Sequence, residues 1–293
     1  MSSLPRLPEG VVPGGRFERW GPAQPAYLVA DVDGTVMRPD GITPEGLEDL
    51  VAEVQAAGVR VGLATGRMRP SVSTLWQRLG AAGPHVLHNG AEVFGDGAII
   101  ATWPLARNEI GELIDLARRY DVYLEVYVEH GFYVSDDRAP ERDHWPMLGH
   151  DPLGFVDELP DDAVFPKATF ALTAPAEAGF LDDIEALGLI AGPAHSPQTP
   201  HLHYVNANNP GADKGRAVTH AAAHLGVELG AVVAVGDGAN DLSMFGVVGT
   251  AIAMGQATPA IIAAAHLVAP DAADDGVMMA LHAVQELRRT SAH

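Results

Sequence analysis

Cysteine is absent from this 293-residue chain. That excludes disulfides, thiolate catalysis and cysteine-based zinc sites, and leaves the redox compartment open. Lysine is almost absent too: Lys167 and Lys214 are the only two, beside sixteen arginines. Eighteen basic residues face 38 acidic ones, for a net charge of −20. That balance opposes attraction to nucleic acid or to an anionic membrane, so neither is expected as a partner. An anionic ligand would need a local positive site, either a metal or an individually placed Lys or Arg. Long apolar runs are also missing. The most apolar late stretch, Ala257–Ala269, is interrupted by Pro259 and His266 and falls short of the ~20 residues that span a bilayer. The first residues carry Pro5, Pro8, Glu9, Pro13 and Arg16 in place of an apolar signal core. A cytoplasmic location is the resulting expectation. What remains is ordinary globular composition, 47% hydrophobic and 19% charged, at a length that suits about two domains.

Residues 1–25, rich in Pro and Gly, read as an N-terminal extension outside the core. From there apolar strand-like runs alternate with helix-like segments. Tyr27–Ala30 is followed by Thr43-Pro44, a helix start with Thr as N-cap and Pro at the first helical position, closing at Gly58. Val59–Leu63 is a second strand, and Val86–His88 a third after a helix ending near Gly80. The pattern resumes with a helix from Lys214 to Leu225. Strands at Ala231–Val235, Thr250–Ala253 and Leu267–Ala269 follow, the last two flanking a helix opened by Thr258-Pro259. Near-continuous apolar strands alternating with helices argue for an α/β fold, a Rossmann-like, doubly wound parallel sheet. The middle differs. A helix over Glu109–Tyr120, a hairpin about His130-Gly131, a strand at Lys167–Leu172 and a helix over Glu177–Leu187 suggest an inserted α+β unit. The expected division is therefore a core of residues 26–103 and 202–293, with residues 104–201 inserted as a cap.

The chemistry gathers where the strands end. Asp31-Val-Asp33-Gly34-Thr35 follows the first strand, Ala64-Thr65-Gly66-Arg67 the second, and Gly236-Asp237-Gly-Ala-Asn240-Asp241 the fourth. Ligand crevices of parallel sheets lie beyond these carboxyl ends. Residues i and i+2 share a strand face, and a turn at Gly34 can bring Asp31 and Asp33 together at its end. Two carboxylates there suit a nucleophile with an acid/base, or a metal cradle. Singly the pieces are weak. An isolated Asp-x-Asp is as readily an acidic turn, Thr65 and Asn240 read equally as helix caps, and Lys214 as a solvated helix start. Gly236-Asp-Gly238 lacks the third glycine of a dinucleotide loop, and the Asp31 segment lacks the Gly and Glu of a calcium loop. His220 and His224 have i,i+4 metal-ligand spacing, with His201 and His203 about twenty residues earlier, but there is no accompanying carboxylate motif, and they read as surface or packing histidines.

Jointly and in order, Asp31/Asp33, Thr65, Lys214 and Asp237/Asn240/Asp241 resemble the four motifs of the haloacid dehalogenase (HAD) superfamily. The long interval between Thr65 and Lys214 leaves room for a large cap. With His88-Asn89-Gly90-Ala91 and Asp275-Gly276-Val277, the chain looks most like Cof-type phosphatases of sugar phosphates and phosphorylated cofactors. The resemblance implies a Mg²⁺-dependent phosphatase acting on a small phosphorylated metabolite through an aspartyl-phosphate. It makes Asp31 the nucleophile and Asp33 the acid/base. Asp31, the Asp33 carbonyl and Asp237 become the metal ligands, Thr65, Lys214 and Asn240 the phosphate contacts, and Asp241 the residue that orients the metal shell or holds Lys214. A phosphomutase using the same site, or an inactive ligand-binding homologue, would carry the same fold. The cap loop Ser135–Trp145, with Arg138, Arg142, His144 and Trp145, is where specificity is expected, although an ordinary charged loop reads the same way.

Overall fold

A computed structural model describes residues 7–139, 141–194 and 199–290. The chain divides into two units. One takes in residues up to Thr65, Leu75–Ala101 and the chain from Asp213 on; the other takes in Gly66–Thr74 and Thr102–Ala212.

The first unit is built on a nine-stranded sheet. Its order is Val12–Pro13, Leu267–Val268, Thr250–Ala253, Val232–Gly236, Tyr27–Asp31, Arg60–Ala64, His85–Leu87, Glu92–Gly95 and Ala98–Thr102. The six strands from Leu267–Val268 to His85–Leu87 run parallel. Tyr27–Asp31 and Val232–Gly236 at its centre are buried at every residue, as strands covered on both faces must be. Helices flank them in two groups, Leu47–Ala56 with Gly276–Thr290 and Lys214–His224 with Leu242–Val247. Register does the functional work. Asp31 pairs with Ala64, and Ala30 with Val235, so the residues that leave the sheet after Asp31, Ala64 and Gly236 start from one row.

Local chemistry moves some boundaries. The first helix begins at Leu47, not Thr43, because Gly46 is left-handed (φ 78°) and cannot continue a helical turn. Thr43 instead accepts a hydrogen bond from Arg78 at 2.7 Å. The described part of the N-terminal extension is tied to the sheet unit. Val12–Pro13 pairs antiparallel with Leu267–Val268, Arg16 donates to the Phe245 carbonyl at 2.8 Å, and the buried Trp20 donates to Thr250 Oγ1 at 3.1 Å. Composition hides this, since a two-residue strand has no periodicity to detect.

The second unit carries a five-stranded antiparallel sheet in the order Ile190–Ala194, His203–Asn208, Ala168–Leu172, Tyr123–Val128, Gly131–Val134. Helices Arg107–Tyr120 and Ala178–Ala186 pack on it, Tyr120 and Phe170 meeting the Phe180 ring edge-on at 5.1 and 4.9 Å. His203–Ala207 pairs residue for residue with Ala168–Leu172. The stretch 202–212 therefore groups here, apart from the sheet unit to which the sequence reading assigned it. Among the described residues, no helix is long and apolar enough to cross a membrane.

A buried histidine couples the sheet unit to pH. His85 stacks on Trp76 with centroids 4.2 Å apart, and its Nδ1 accepts from the Leu63 N–H at 3.2 Å. Burial lowers its pKa to about 4. The folded value lies below the unfolded one near 6.5, so His85 supports the fold above pH ~6.5 and that support drains as pH falls toward 4. It is worth on the order of 3 kcal/mol across that window. Thermal unfolding of a His85→Asn variant should show a visibly shallower decline in Tm between pH 6.5 and 4 than the parent. Parallel declines would assign the sensitivity to other groups.

Candidate active site

The site in the sheet unit is a knot of charge around one ammonium. Lys214, 1% exposed, opens its helix just after Asp213, whose side chain caps that helix by accepting from the Arg216 N–H. Its Nζ donates to Asp31 Oδ1 and to Asp241 Oδ1, each at 2.6 Å. Asp241 is fully buried, and its Oδ2 accepts the backbone N–H groups of Asp237 and Gly238 at 3.0 and 2.9 Å. One carboxylate thus fixes both the lysine and the loop that carries Asp237.

Asp237 sits on the other side of that loop. Its Oδ1 accepts from Thr35 at 3.3 Å and its Oδ2 from Gln256 at 3.1 Å; Gln256 also donates to the Gly34 carbonyl at 2.6 Å. Gly34 is left-handed (φ 82°), and a Cβ there would lie 2.4 Å from Asp237 Oδ2. Only glycine permits this approach, which brings the Asp31 turn against Asp237. Asp33 lies on that turn and is exposed, while Asp31 is 7% exposed. The two acids therefore stand in different surroundings despite their spacing.

The balance of charge is negative. Burial holds the Asp31 carboxyl well above the usual carboxylate range, with Lys214 opposing and Asp241 and Asp33 adding to the effect. Burial likewise raises Asp237, against its Gln256 hydrogen bond. For Lys214, burial acts to lower the pKa, but Asp241 and Asp31 outweigh it and raise it above the usual lysine range. One ammonium is thus shared among more carboxylates than it neutralises. Asp31, Asp237 and Asp241 each offer an oxygen within 4.8 Å of the others. Such a set of hard oxygen donors, short of positive charge, suits a divalent cation of the magnesium type and not a soft metal.

Thr65 is fully buried, one residue beyond the partner of Asp31; its N–H donates to the Val86 carbonyl at 2.9 Å and its carbonyl accepts from Asn89 N–H at 3.0 Å. Asn240 is exposed and donates through Nδ2 to Asn89 Oδ1 at 3.0 Å. The remaining signatures have partners of their own. Asp275, left-handed at φ 57°, accepts from Arg38 Nε at 2.7 Å. His224 pairs with Asp96 at 2.9 Å. Sequence reasoning passed over Thr35, Gln256 and Asn89. Thr35 and Asn89 stood inside quoted motifs, but Gln256 has no local signal because its partners lie 222 and 19 residues away.

The second unit has its own buried polar group. Glu125, fully buried, accepts from Tyr123 at 3.1 Å and Tyr127 at 2.7 Å, and Trp145 Nε1 donates to the Tyr123 hydroxyl at 2.7 Å. Lys167 lies 4.4 Å over the Tyr127 ring and donates to the Gly66 carbonyl at 3.0 Å. Burial lowers its pKa to about 8, with Glu125 opposing. In the loop expected to set specificity, Arg138 is held by Asp136 at 2.7 Å and by the Asp121 carbonyl at 2.9 Å. Arg142 donates to the Asp137 carbonyl at 3.4 Å, and the His144 side chain lies outside the described residues.

Residues 28–281 match the haloacid dehalogenase-like hydrolase family. YkrA of Bacillus subtilis is 30% identical over 261 residues, covering 88% of this chain and 95% of its own. The 5-amino-6-(5-phospho-D-ribitylamino)uracil phosphatase YitU, also of Bacillus subtilis, is 25% identical over 86% of this chain and 94% of its own. Among solved structures, the subclass IIB sugar phosphatase BT4131 superposes with a TM-score of 0.74 at 23% identity, covering 89% of this chain and 99% of that one. A parallel sheet ending in this carboxylate–lysine cluster, matched over nearly its whole length, places the chain among the haloacid dehalogenase-like hydrolases, as a phosphatase.

Proposed function

We propose that this phosphatase hydrolyses a small phosphorylated metabolite, a sugar phosphate or a phosphorylated cofactor, through an aspartyl-phosphate on Asp31. The observation that carries the reading is the position of Asp31: buried at a strand end, one oxygen held by Lys214, with the exposed Asp33 two residues on. YitU and BT4131, named for a phosphorylated ribitylaminouracil and for sugar phosphates, support the substrate class.

In this reading the oxygen of Asp31 not held by Lys214 attacks phosphorus; the Asp31–phosphorus bond forms as the ester bond breaks. Asp33 delivers a proton to the leaving alkoxide. The resulting Asp33 carboxylate then takes a proton from water, whose oxygen attacks phosphorus, releasing inorganic phosphate and restoring Asp31. Dividing the reaction in two is what a covalent nucleophile contributes, and proton transfer adds roughly 10²–10⁴-fold. Lys214 opposes the effect of burial on Asp31 and holds one of its oxygens in place. Thr65 and Asn240 hydrogen-bond the phosphoryl oxygens. Asp31, the Asp33 carbonyl and Asp237 would hold Mg²⁺, which offsets the charge that gathers when an anionic ester meets these acids. Asp241, its oxygens engaged by Lys214 and two backbone N–H groups, keeps lysine and loop in place.

Three results test this. Phosphate release from a panel of sugar phosphates and phosphorylated cofactors in Mg²⁺ should fall by ~10³-fold or more in Asp31→Asn, without loss of Tm, because a crowded carboxylate has been neutralised. Turnover equal to the parent's would remove Asp31 as nucleophile. Lys214→Met should do the opposite to stability, costing about 3–5 kcal/mol by leaving buried carboxylates unpaired, read as a large fall in Tm; an unchanged Tm would mean that the ammonium is not what holds the cluster. Mg²⁺ at about a hundred times its Kd should stabilise the protein by about 2.7 kcal/mol in calorimetry, reversibly on chelation. Asp237→Asn should abolish most of that gain, and an equal gain in the variant would place the metal elsewhere.

A further inference from the structure

Beyond the His85–Leu87 strand the chain makes a turn of left-handed backbone. His88, Asn89 and Gly90 follow one another at φ 52°, 58° and 103°. Non-glycine residues in this region cost of order 1–3 kcal/mol each and persist only where their surroundings hold them. Here three segments do. The Asn89 N–H donates to the Thr65 carbonyl at 3.0 Å. Gly90 lies flat against the backbone of Asp213 and Lys214, where a Cβ would meet the Asp213 carbonyl carbon at 2.2 Å and the Lys214 nitrogen at 2.7 Å. Asn89 Oδ1 accepts from Asn240 Nδ2 at 3.0 Å. One turn therefore touches the segments of Thr65, Lys214 and Asn240 at once.

The Asn240 bond has a direction. An amide side chain carries one acceptor oxygen and an NH2 with two donors at opposite ends of a single plane, and its half-turn exchanges the two ends. Asn240 is exposed, so burial does not restrain that rotation. Asn89 supplies the restraint: as acceptor it takes one Asn240 N–H and fixes which edge of the amide carries the second. Its left-handed backbone is what aims Oδ1 at Asn240, and asparagine tolerates that conformation better than other side-chain-bearing residues.

We infer that Asn89 is a positioning residue that orients the Asn240 amide so that its remaining N–H is presented to a phosphoryl oxygen. This rests on the reading of Asn240 as a phosphate contact and adds a residue to it. Asn89 does not itself touch the reacting atoms, and its contribution is the loss of one rotational freedom before substrate arrives.

Asn89→Gly separates this role from a structural one, because glycine adopts the positive φ without strain while removing the side chain that carries the acceptor. The probes are inorganic phosphate, titrated by calorimetry in Mg²⁺, and p-nitrophenyl phosphate turnover. Asn89→Gly should weaken phosphate affinity and raise KM about three- to tenfold, the equivalent of one hydrogen bond, with Tm unchanged or higher. Asn240→Ala should do the same, and the double variant should be no worse than Asn240→Ala alone. If Asn240→Ala weakens phosphate binding and Asn89→Gly does not, or if the two losses multiply, Asn89 is not the orienting residue. If Asn240→Ala leaves phosphate affinity unchanged, the phosphate role of Asn240 itself falls, and the inference with it.

Discussion

One ammonium group organises the site. Lys214 is the common partner of Asp31 and Asp241, all three out of water, and the loop bearing Asp237 hangs from the far oxygen of Asp241. Removing charge from solvent is expensive, and a buried pair gives back that cost only if its geometry is good and its remaining lone pairs are used. Asp241 meets both conditions, since one oxygen faces the ammonium and the other faces two N–H groups. Asp31 gives one oxygen to the same ammonium and keeps a little exposure where its strand ends.

The parallel sheet turns this chemistry into a place. Register sets Asp31 beside Ala64 and, one residue earlier, Ala30 beside Val235, so three strands release their polar loops from one row. This much was legible in the sequence, because apolar strands ending in Asp, Thr and Gly-Asp announce both the sheet and its ligand-binding end. Lys214 was legible for a different reason: where lysine occurs twice, a lysine at a motif position carries weight. What escaped were contacts that join distant segments without any periodicity of their own. Gln256 reaches the Asp31 turn and Asp237 together, and the first helix loses its opening turn to one left-handed glycine. Neither follows from local pattern, because each is decided by what the segment packs against.

The second unit shows the same limit from another side. Glu125 stands in the apolar run Tyr123–Val128, where alternation alone would make it a solvent-facing strand residue; it is fully buried and takes two tyrosine hydroxyls. An unpaired carboxylate there would be prohibitive, so Tyr123 and Tyr127 are as much a part of the glutamate as its own oxygens. In the loop expected to set specificity, Arg138 is engaged by Asp136 within the loop and by Asp121 outside it.

Both lysines are now accounted for, and both are buried. The described surface is therefore without the residue that other sheets commonly place on an open edge to discourage a second chain from pairing there. Val12–Pro13 occupies one such edge instead, lying along Leu267–Val268, and a proline has no N–H with which to extend a ladder outward. A stretch whose composition suggested an extension outside the core thereby covers one edge of the sheet, and does so with backbone and without a lysine.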